Sequence, residues 1–172
     1  MLPPDWISRK EYPVINLSGC PVHPNTVIQV LLQILNDLPI ELDTFNRPID
    51  FYSTVVHQGC TRNEYHEYDI EEEKFGELGC LFFNLGCMGP YIHGTCNSIL
   101  WNTKNSKTRA GIPCIGCTEP NFPIDKNFYK TDKILNIPVT LPLGVNRANY
   151  LAYKGLAKVA APKRLLERKY TH

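Results

Sequence analysis

The sequence lacks any long hydrophobic run and carries almost no net charge. No apolar segment approaches the roughly 20 residues that a membrane-spanning helix needs, and residues 1–6 (MLPPDW) lack the basic, apolar and small-residue parts of a signal peptide. A net charge of +1 provides no field that would attract nucleic acid or a strongly acidic partner. We therefore expect a cytoplasmic chain that reaches a membrane only through partners.

The sequence also lacks an internal repeat and a clear linker, so its 172 residues predict one domain. Fourteen prolines and eleven glycines favour irregular backbone. The expected fold class is α+β, mostly irregular with short helices and few strands. We divide the domain into a first segment and helix (1–55), a central core (56–120), and an extended arm with C-terminal helices (121–172).

Local patterns predict the following elements. Apolar residues at helical spacing predict a core helix over 26–36, capped by Asn25, and helices over 145–160 and 163–170. Apolar residues predict a short buried strand at 14–17, and segment 51–56 is β-prone and leads to His57. The acid-rich run 61–75 is typical of a solvated face, and so are the basic residues of the C-terminal tail, Lys163, Arg164, Arg168 and Lys169.

Cysteine is the abundant residue that needs explanation. Six of the seven cysteines lie within residues 57–117. An odd number leaves one thiol outside any purely disulfide framework. Thiolates gathered this densely indicate ligands for several metal centres, and the preferred interpretation is iron–sulfur clusters.

Each part of this pattern has another interpretation when it is taken alone. Cys114 and Cys117, with two residues between them, occur equally in zinc knuckles and redox dithiols. His57 and Cys60 are compatible with a polar turn beside a buried thiol, and Cys20 with a buried free cysteine. Single cysteines at 80, 87 and 96 do not form the short-spaced couples that are usual in structural zinc sites.

Five segments together resemble the small subunit of NiFe hydrogenases, specifically its C-terminal cluster-binding half. They are INLSGCP (15–21), VHQGCTRNEY (56–65), LGCMGP (85–90), Cys96 with LWN (100–102), and GIPCIGCTEP (111–120). The resemblance covers nearly the whole chain and accounts for the order and spacing of all seven cysteines.

The resemblance implies ligands for three clusters. The distal 4Fe-4S cluster would be held by one histidine and three cysteines, His57, Cys60, Cys80 and Cys87. The medial 3Fe-4S cluster, which needs one ligand fewer, would be held by Cys96, Cys114 and Cys117. A shared proximal 4Fe-4S cluster would receive one of its four ligands from Cys20.

Three departures from the family pattern refine this prediction. The family's flavodoxin-like N-terminal domain, which supplies the other proximal ligands, does not appear in this sequence, so we expect either a small subunit split between two polypeptides, which we favour, or a truncated piece of one. The gap of seven from Cys80 to Cys87 resembles the branch of sensor and high-affinity hydrogenases. Lys107 stands where sensor-type members can carry a further cysteine, which favours three-iron occupancy of the medial site.

The resemblance implies an electron-transfer subunit of a NiFe hydrogenase. Its expected partners are the large subunit with the NiFe site, a second chain with the flavodoxin-like half, and an acceptor protein or quinone pathway, in a higher oligomer. No residue of this chain is expected to be catalytic, and loss of the clusters is expected to unfold it. The alternatives are a stand-alone iron–sulfur carrier and a zinc-stabilised interaction module.

Overall fold

The computed structural model describes residues 5–9, 11–123, 127–142 and 144–167. Most of this backbone is irregular, which confirms the predicted small α+β fold with few strands. The described elements, in chain order, are α1 (Pro24–Leu35), α2 (Ile49–Tyr52), α3 (Asn63–Glu67), α4 (Phe82–Leu85), a 3-10 turn (Gly89–Tyr91), β1 (Lys133–Ile134), β2 (Ile137–Pro138), α5 (Arg147–Val159) and α6 (Lys163–Leu166). None of the described helices has the length and apolar character needed to cross a membrane.

Helix α1 confirms the predicted helix but not its cap or its burial. His23 caps it, because its Nδ1 accepts the backbone N–H of Asn25 at 3.1 Å, so the predicted Asn25 cap is wrong. The helix is also not a core helix. Only Thr26 and Val30 are fully buried, whereas several apolar side chains are exposed in this chain, namely Ile28, Leu31, Leu32 and Leu35.

The predicted strand at 14–17 is wrong, and the β-prone segment 51–56 is helical at its start and extended at its end. Segment 14–17 forms no ladder, and its hydrogen bond to a neighbouring segment runs from Asn16 N to Asn46 O, 2.8 Å. In segment 51–56, the carbonyl of Pro48 accepts the N–H groups of Phe51 and Tyr52 and closes the turn of α2. The end of segment 51–56 is extended, because Val55 forms an antiparallel bridge with His93 and Val56 N–H donates to Ile92 O at 2.7 Å.

Two hydrophobic clusters form the core of the described chain. The smaller contains Val30, Phe51 and Tyr52 and joins α1 to α2. The larger surrounds the cysteines, and its buried members are Val56, Cys80, Leu81, Phe82, Leu85, Cys87, Met88, Ile92 and Cys114. Sulfur ligands and hydrophobic core therefore occupy the same part of the molecule.

The C-terminal part packs on α4 through charged side chains. β1 and β2 form a short antiparallel hairpin that pairs Lys133 with Pro138. The Nζ atoms of Lys133 and Lys154 lie 3.7 and 3.3 Å from the ring centroid of Phe83, and Lys154 also pairs with Asp69 at 3.0 Å. Helix α5 thereby contacts the core between Cys80 and Cys87.

Two other sequence predictions have mixed outcomes. The predicted helix over 145–160 is confirmed as α5. Helix α6 confirms the start of the helix predicted over 163–170. The last residues of that predicted helix, including Arg168 and Lys169, lie outside the described residues. The run 61–75 is not wholly solvated, because Arg62 and Glu72 are buried. The proposed three-part division of the chain stays a prediction.

Candidate metal centre

The first group of predicted ligands is built on three loops that meet at the larger core cluster. Cys60 precedes α3, Cys80 precedes α4, and Cys87 follows the left-handed Gly86 (φ 63°) that ends α4. Burial raises the pKa of Cys80, and the Glu71 carboxylate and the Cys87 and Cys60 thiols raise it further. The sulfurs of Cys60 and Cys87 are therefore near enough to Cys80 for their charges to affect its ionisation.

His57 joins this group through the backbone. Its N–H donates to Gly89 O at 3.0 Å, and its carbonyl accepts the N–H of Cys60 at 3.0 Å. Burial lowers the pKa of His57, and the nearby His66 lowers it further. The imidazole is thus kept neutral, which is the form that ligates a metal.

Backbone N–H groups point at the sulfurs of the first group. Arg62 N–H donates to Cys60 Sγ at 3.4 Å, Phe82 N–H to Cys80 Sγ at 3.5 Å, and Cys114 N–H to Cys87 Sγ at 3.4 Å. Such donors stabilise thiolates and adjust the potential of iron–sulfur centres.

The second group contains the three predicted medial ligands together with Cys20. Cys20, Cys96, Cys114 and Cys117 line one small cavity with Lys107 and Val56. Burial raises the pKa of Cys96 and of Cys114, and nearby thiols, including Cys20, raise both further. The Cys117 thiol donates to the Cys20 sulfur, which lowers the pKa of Cys20 to about 6 and raises that of Cys117.

Cys20 therefore lies closer to the medial ligands than the sequence alone indicates. Its loop is tied to α2 by the Tyr52 hydroxyl, which accepts the N–H of Ser18 and donates to the Ser18 carbonyl, both at 2.8 Å. Cys20 is exposed, as a ligand shared with another polypeptide would have to be. Its assignment to a proximal cluster stays a prediction.

Of the charged and polar side chains near the sulfurs, Lys107 was expected from the sequence at the medial site, whereas His66 and Arg62 were not. His66 Nδ1 lies 3.5 Å from Cys80 Sγ and 3.6 Å from Glu71 Oε1, which places three potential ligand atoms together. Arg62 is buried beside Cys60, and Lys107 lowers the pKa of Cys20 and Cys96 by its charge. The sequence signal for His66 and Arg62 was their position just after the HQGC motif, but it was masked by the surrounding acids.

The donor set fits iron–sulfur clusters better than isolated thiols. Buried thiols with raised pKa values resist ionising together, because each thiolate repels the next and loses hydration. Several adjacent iron ions would remove that penalty, and thiolates are their preferred protein ligands. Within the described residues, all seven cysteines are free thiols.

The fold and its cysteines thus define a small, thiol-rich domain whose donor groups are of the kind that bind metal. Residues 52–130 match the family model for the C-terminal domain of the NiFe/NiFeSe hydrogenase small subunit. Through that region the chain belongs to this family, whose members are small subunits of an oxidoreductase that has its active site in the large subunit.

Individual relatives agree with the family match. The chain is 40% identical over 121 residues to the F420 non-reducing hydrogenase II small subunit of Methanosarcina mazei, covering 64% of this chain and 31% of that protein. It is 38% identical to periplasmic NiFe hydrogenase small subunit 1 of Nitratidesulfovibrio vulgaris, over 68% of this chain and 39% of that protein. The name of this second relative places it in the periplasm, so the expected cytoplasmic location of our chain stays a prediction.

Among solved structures, the actinobacterial-type NiFe-hydrogenase from Ralstonia eutropha H16 matches with a TM-score of 0.69 and 28% identity. This match covers 99% of our chain and 49% of the other. The chain spans about a third of the length of the curated relatives it matches.

Proposed function

We propose that this chain is an electron-transfer subunit of a NiFe hydrogenase. The observation that carries the proposal is the convergence of seven cysteines and His57 on two adjacent sites in a family of hydrogenase small subunits. Clusters bound there would accept electrons from hydrogen oxidation in the large subunit and release them one at a time to an acceptor.

The chain's own residues would hold and insulate the two sites. His57, Cys60, Cys80 and Cys87 would bind the distal 4Fe-4S cluster, and Cys96, Cys114 and Cys117 the medial 3Fe-4S cluster. Buried apolar side chains such as Val56, Leu81 and Met88 exclude water from the sulfurs. The backbone donors on three of the sulfurs stabilise the thiolates that ligation requires.

Cys20 would contribute one ligand to a proximal cluster shared with another polypeptide. Its exposure and its fixed loop support this role. The expected partners are the large subunit and a chain with the flavodoxin-like half of the small subunit. This chain covers 31–39% of the matched relatives, so each relative has further sequence in which such a half would lie.

The first experiment is anaerobic native purification of the tagged chain, followed by analysis of iron, nickel and zinc and identification of co-purifying chains. Iron and nickel, with one partner bearing nickel-ligating cysteines and another a flavodoxin-like domain, would support the proposal. Iron without nickel or such partners would indicate a stand-alone carrier. Zinc in place of iron would contradict the cluster assignment.

A second experiment tests the role of His57. A neutral imidazole donates less negative charge than a thiolate, so His57→Cys should lower the potential of the distal cluster in an EPR-monitored redox titration. Gln58→Cys is the matched control, because it adds an exposed thiol at the next position and leaves the imidazole in place. An unchanged distal potential in His57→Cys would contradict ligation by His57.

A further inference from the structure

Cys20 lies between two cavities of different composition. One is the small cavity of the second group, where Cys20 stands beside three other thiols, those of Cys96, Cys114 and Cys117. The other has a volume of about 70 Å3, and the sulfurs among its described lining residues are those of Cys20 and Cys96. Cys20 is thus at the boundary between the proposed medial ligands and a space that opens on its own loop.

The second group contains one sulfur more than a three-iron cluster uses. Its four thiols line a single cavity, and the Cys117 thiol donates to the Cys20 sulfur. Burial raises the pKa of Cys114, and the thiols of Cys87, Cys96 and Cys20 raise it further, so Cys20 is near Cys114 as well. Four thiolates are the usual ligand set of a 4Fe-4S cluster. The set is complete here without any residue from another polypeptide.

A positive charge favours a fourth thiolate at this place. Lys107 lines both cavities. Its charge helps to lower the pKa of Cys20, after the hydrogen bond from Cys117. A cation beside a thiolate stabilises the ionised form that ligates iron. Ligation by Cys20 therefore does not add an uncompensated negative charge to the group.

The loop that carries Cys20 is fixed on both sides, whereas its sulfur is not enclosed. The Tyr52 hydroxyl donates to Ser18 O before it, and His23 caps α1 after it. Cys20 itself is exposed. Rotation about its Cα–Cβ bond, between staggered positions, would carry the sulfur from one cavity toward the other while the backbone stays in place. The same thiolate can therefore serve two sites in turn.

We propose that Cys20 is the fourth ligand of the second group until this chain joins the polypeptide with the flavodoxin-like half, and that the cluster held there meanwhile has four irons. The proposal rests on the function proposed above and adds an assembly step to it. On assembly, the Cys20 thiolate leaves one iron of the second group and binds an iron of the shared proximal cluster. The freed iron parts from its core sulfides as Fe2+. A four-iron core of charge 2+ thereby becomes a three-iron core of zero charge, and no electron is gained or lost.

The test is anaerobic native mass spectrometry of the full chain expressed without partners, which counts the iron and sulfide bound to each molecule. We expect two four-iron clusters. Cys20→Ala should bind one iron fewer per chain, and its three-iron centre should appear in the EPR spectrum after mild oxidation with thionine. Val22→Ala is the matched control, because it shortens a side chain of the same loop and leaves all seven thiols in place.

A rescue variant distinguishes loss of a ligand from damage to the loop. Lys107→Cys, added to Cys20→Ala, returns a thiol to the wall of the same cavity and should restore the fourth iron. If Cys20→Ala does not fold, Cys20→Val carries the comparison, because it also removes the thiol and preserves more of the side-chain volume.

The proposal is overturned if the lone chain has a three-iron centre or no cluster at the second group, or if Cys20→Ala binds as much iron as the unchanged chain. The complex purified with its partners tests the exchange. It should show the three-iron EPR signal, and a four-iron centre retained there would overturn the movement of Cys20. Failure of the electron-transfer function is a separate result: the complex would lack nickel and H2-dependent reduction of its clusters, whatever the lone chain binds.

Discussion

A single buried guanidinium, that of Arg62, joins three loops around the first ligand group. It donates to the carbonyls of Thr108 at 2.7 Å, Glu77 at 2.7 Å and Gly79 at 2.6 Å, while its own backbone N–H faces Cys60 Sγ. These side-chain hydrogen bonds all end on carbonyl oxygens. The positive charge of Arg62 is thereby fixed next to sulfurs that carry negative charge when they are ligated.

Replacing Arg62 with methionine should destabilise the cluster-loaded protein. The loss of charged hydrogen bonds to carbonyls that stay buried should cost about 3 kcal/mol, or roughly 6–12 °C in the thermal unfolding midpoint. Arg147→Met, at the exposed start of α5, is the control and should shift the midpoint by less than about 2 °C. An Arg62→Met midpoint equal to that of the control would contradict the tethering role.

The proposed ligand residues could be named from the sequence, whereas the positions of Arg62 and His66 beside them could not. Cysteines at fixed spacing form a motif that is complete in the sequence itself. The role of Arg62 depends on carbonyls 15 to 46 residues further along the chain, and no local pattern specifies that they meet. The position of His66 could not be predicted either, because the acids around it are typical of a solvated face. Its contact with Cys80 depends on how α3 packs.

At the scale of elements, contact between α5 and the core depends on Phe83. Two lysines lie on this ring, one from β1 and one from α5, so charge rather than apolar burial attaches much of the C-terminal segment. The side chains of α5 agree with this, since Ala157 is its fully buried residue whereas Leu156 and Val159 are exposed.

Lys154→Met should loosen α5 without affecting the ligand loops. It removes a cation–π contact and the ion pair with Asp69, together about 1–2 kcal/mol at a partly buried site, so amides of α5 should exchange with deuterium about tenfold faster. Lys158→Met, one turn further along the helix and exposed, serves as the control. Equal exchange rates in the two variants would show that the Phe83 contact does not hold the helix.

Helices with long apolar periodicity were predictable, and short apolar segments were not. Residues 26–36 and 145–160 show the 3.6-residue period over several turns, and both form helices. Segments 14–17 and 51–56 have only a few apolar residues each, a length at which strand, turn and short helix compete equally. At the start of segment 51–56, the hydrogen bonds to Pro48 O and the packing of Phe51 stabilise a helical turn.

The whole molecule has its main hydrophobic cluster around the sulfurs. The central segment 56–120 contains α3 and α4, of five and four residues, far below the 12–15 residues at which isolated helices become even marginal in water. This segment therefore depends on cross-links between its loops. Bound clusters would provide those links through the seven proposed ligands that this segment contains.

Removal of iron should selectively unfold the central segment. Anaerobic oxidation with ferricyanide and EDTA should abolish amide protection across residues 56–120, because metal binding supplies part of the folding free energy. Helix α1 packs on the smaller core cluster and should keep more of its protection. Hydrogen exchange resolved by peptide measures both regions in one experiment, and full protection of 56–120 after iron loss would contradict the prediction.

The hydrogen bond from the N–H of Cys114 to Cys87 Sγ also constrains biosynthesis. A ribosome adds about 5–20 residues per second from the N-terminus, so Cys60, Cys80 and Cys87 emerge before Cys114 and Cys117. Until those residues emerge, Cys87 lacks one of its donors and the second group lacks two of its thiols. The second site therefore cannot receive its full set of proposed ligands on a shorter nascent chain, whereas the first would already have its four proposed ligands and would lack one backbone donor.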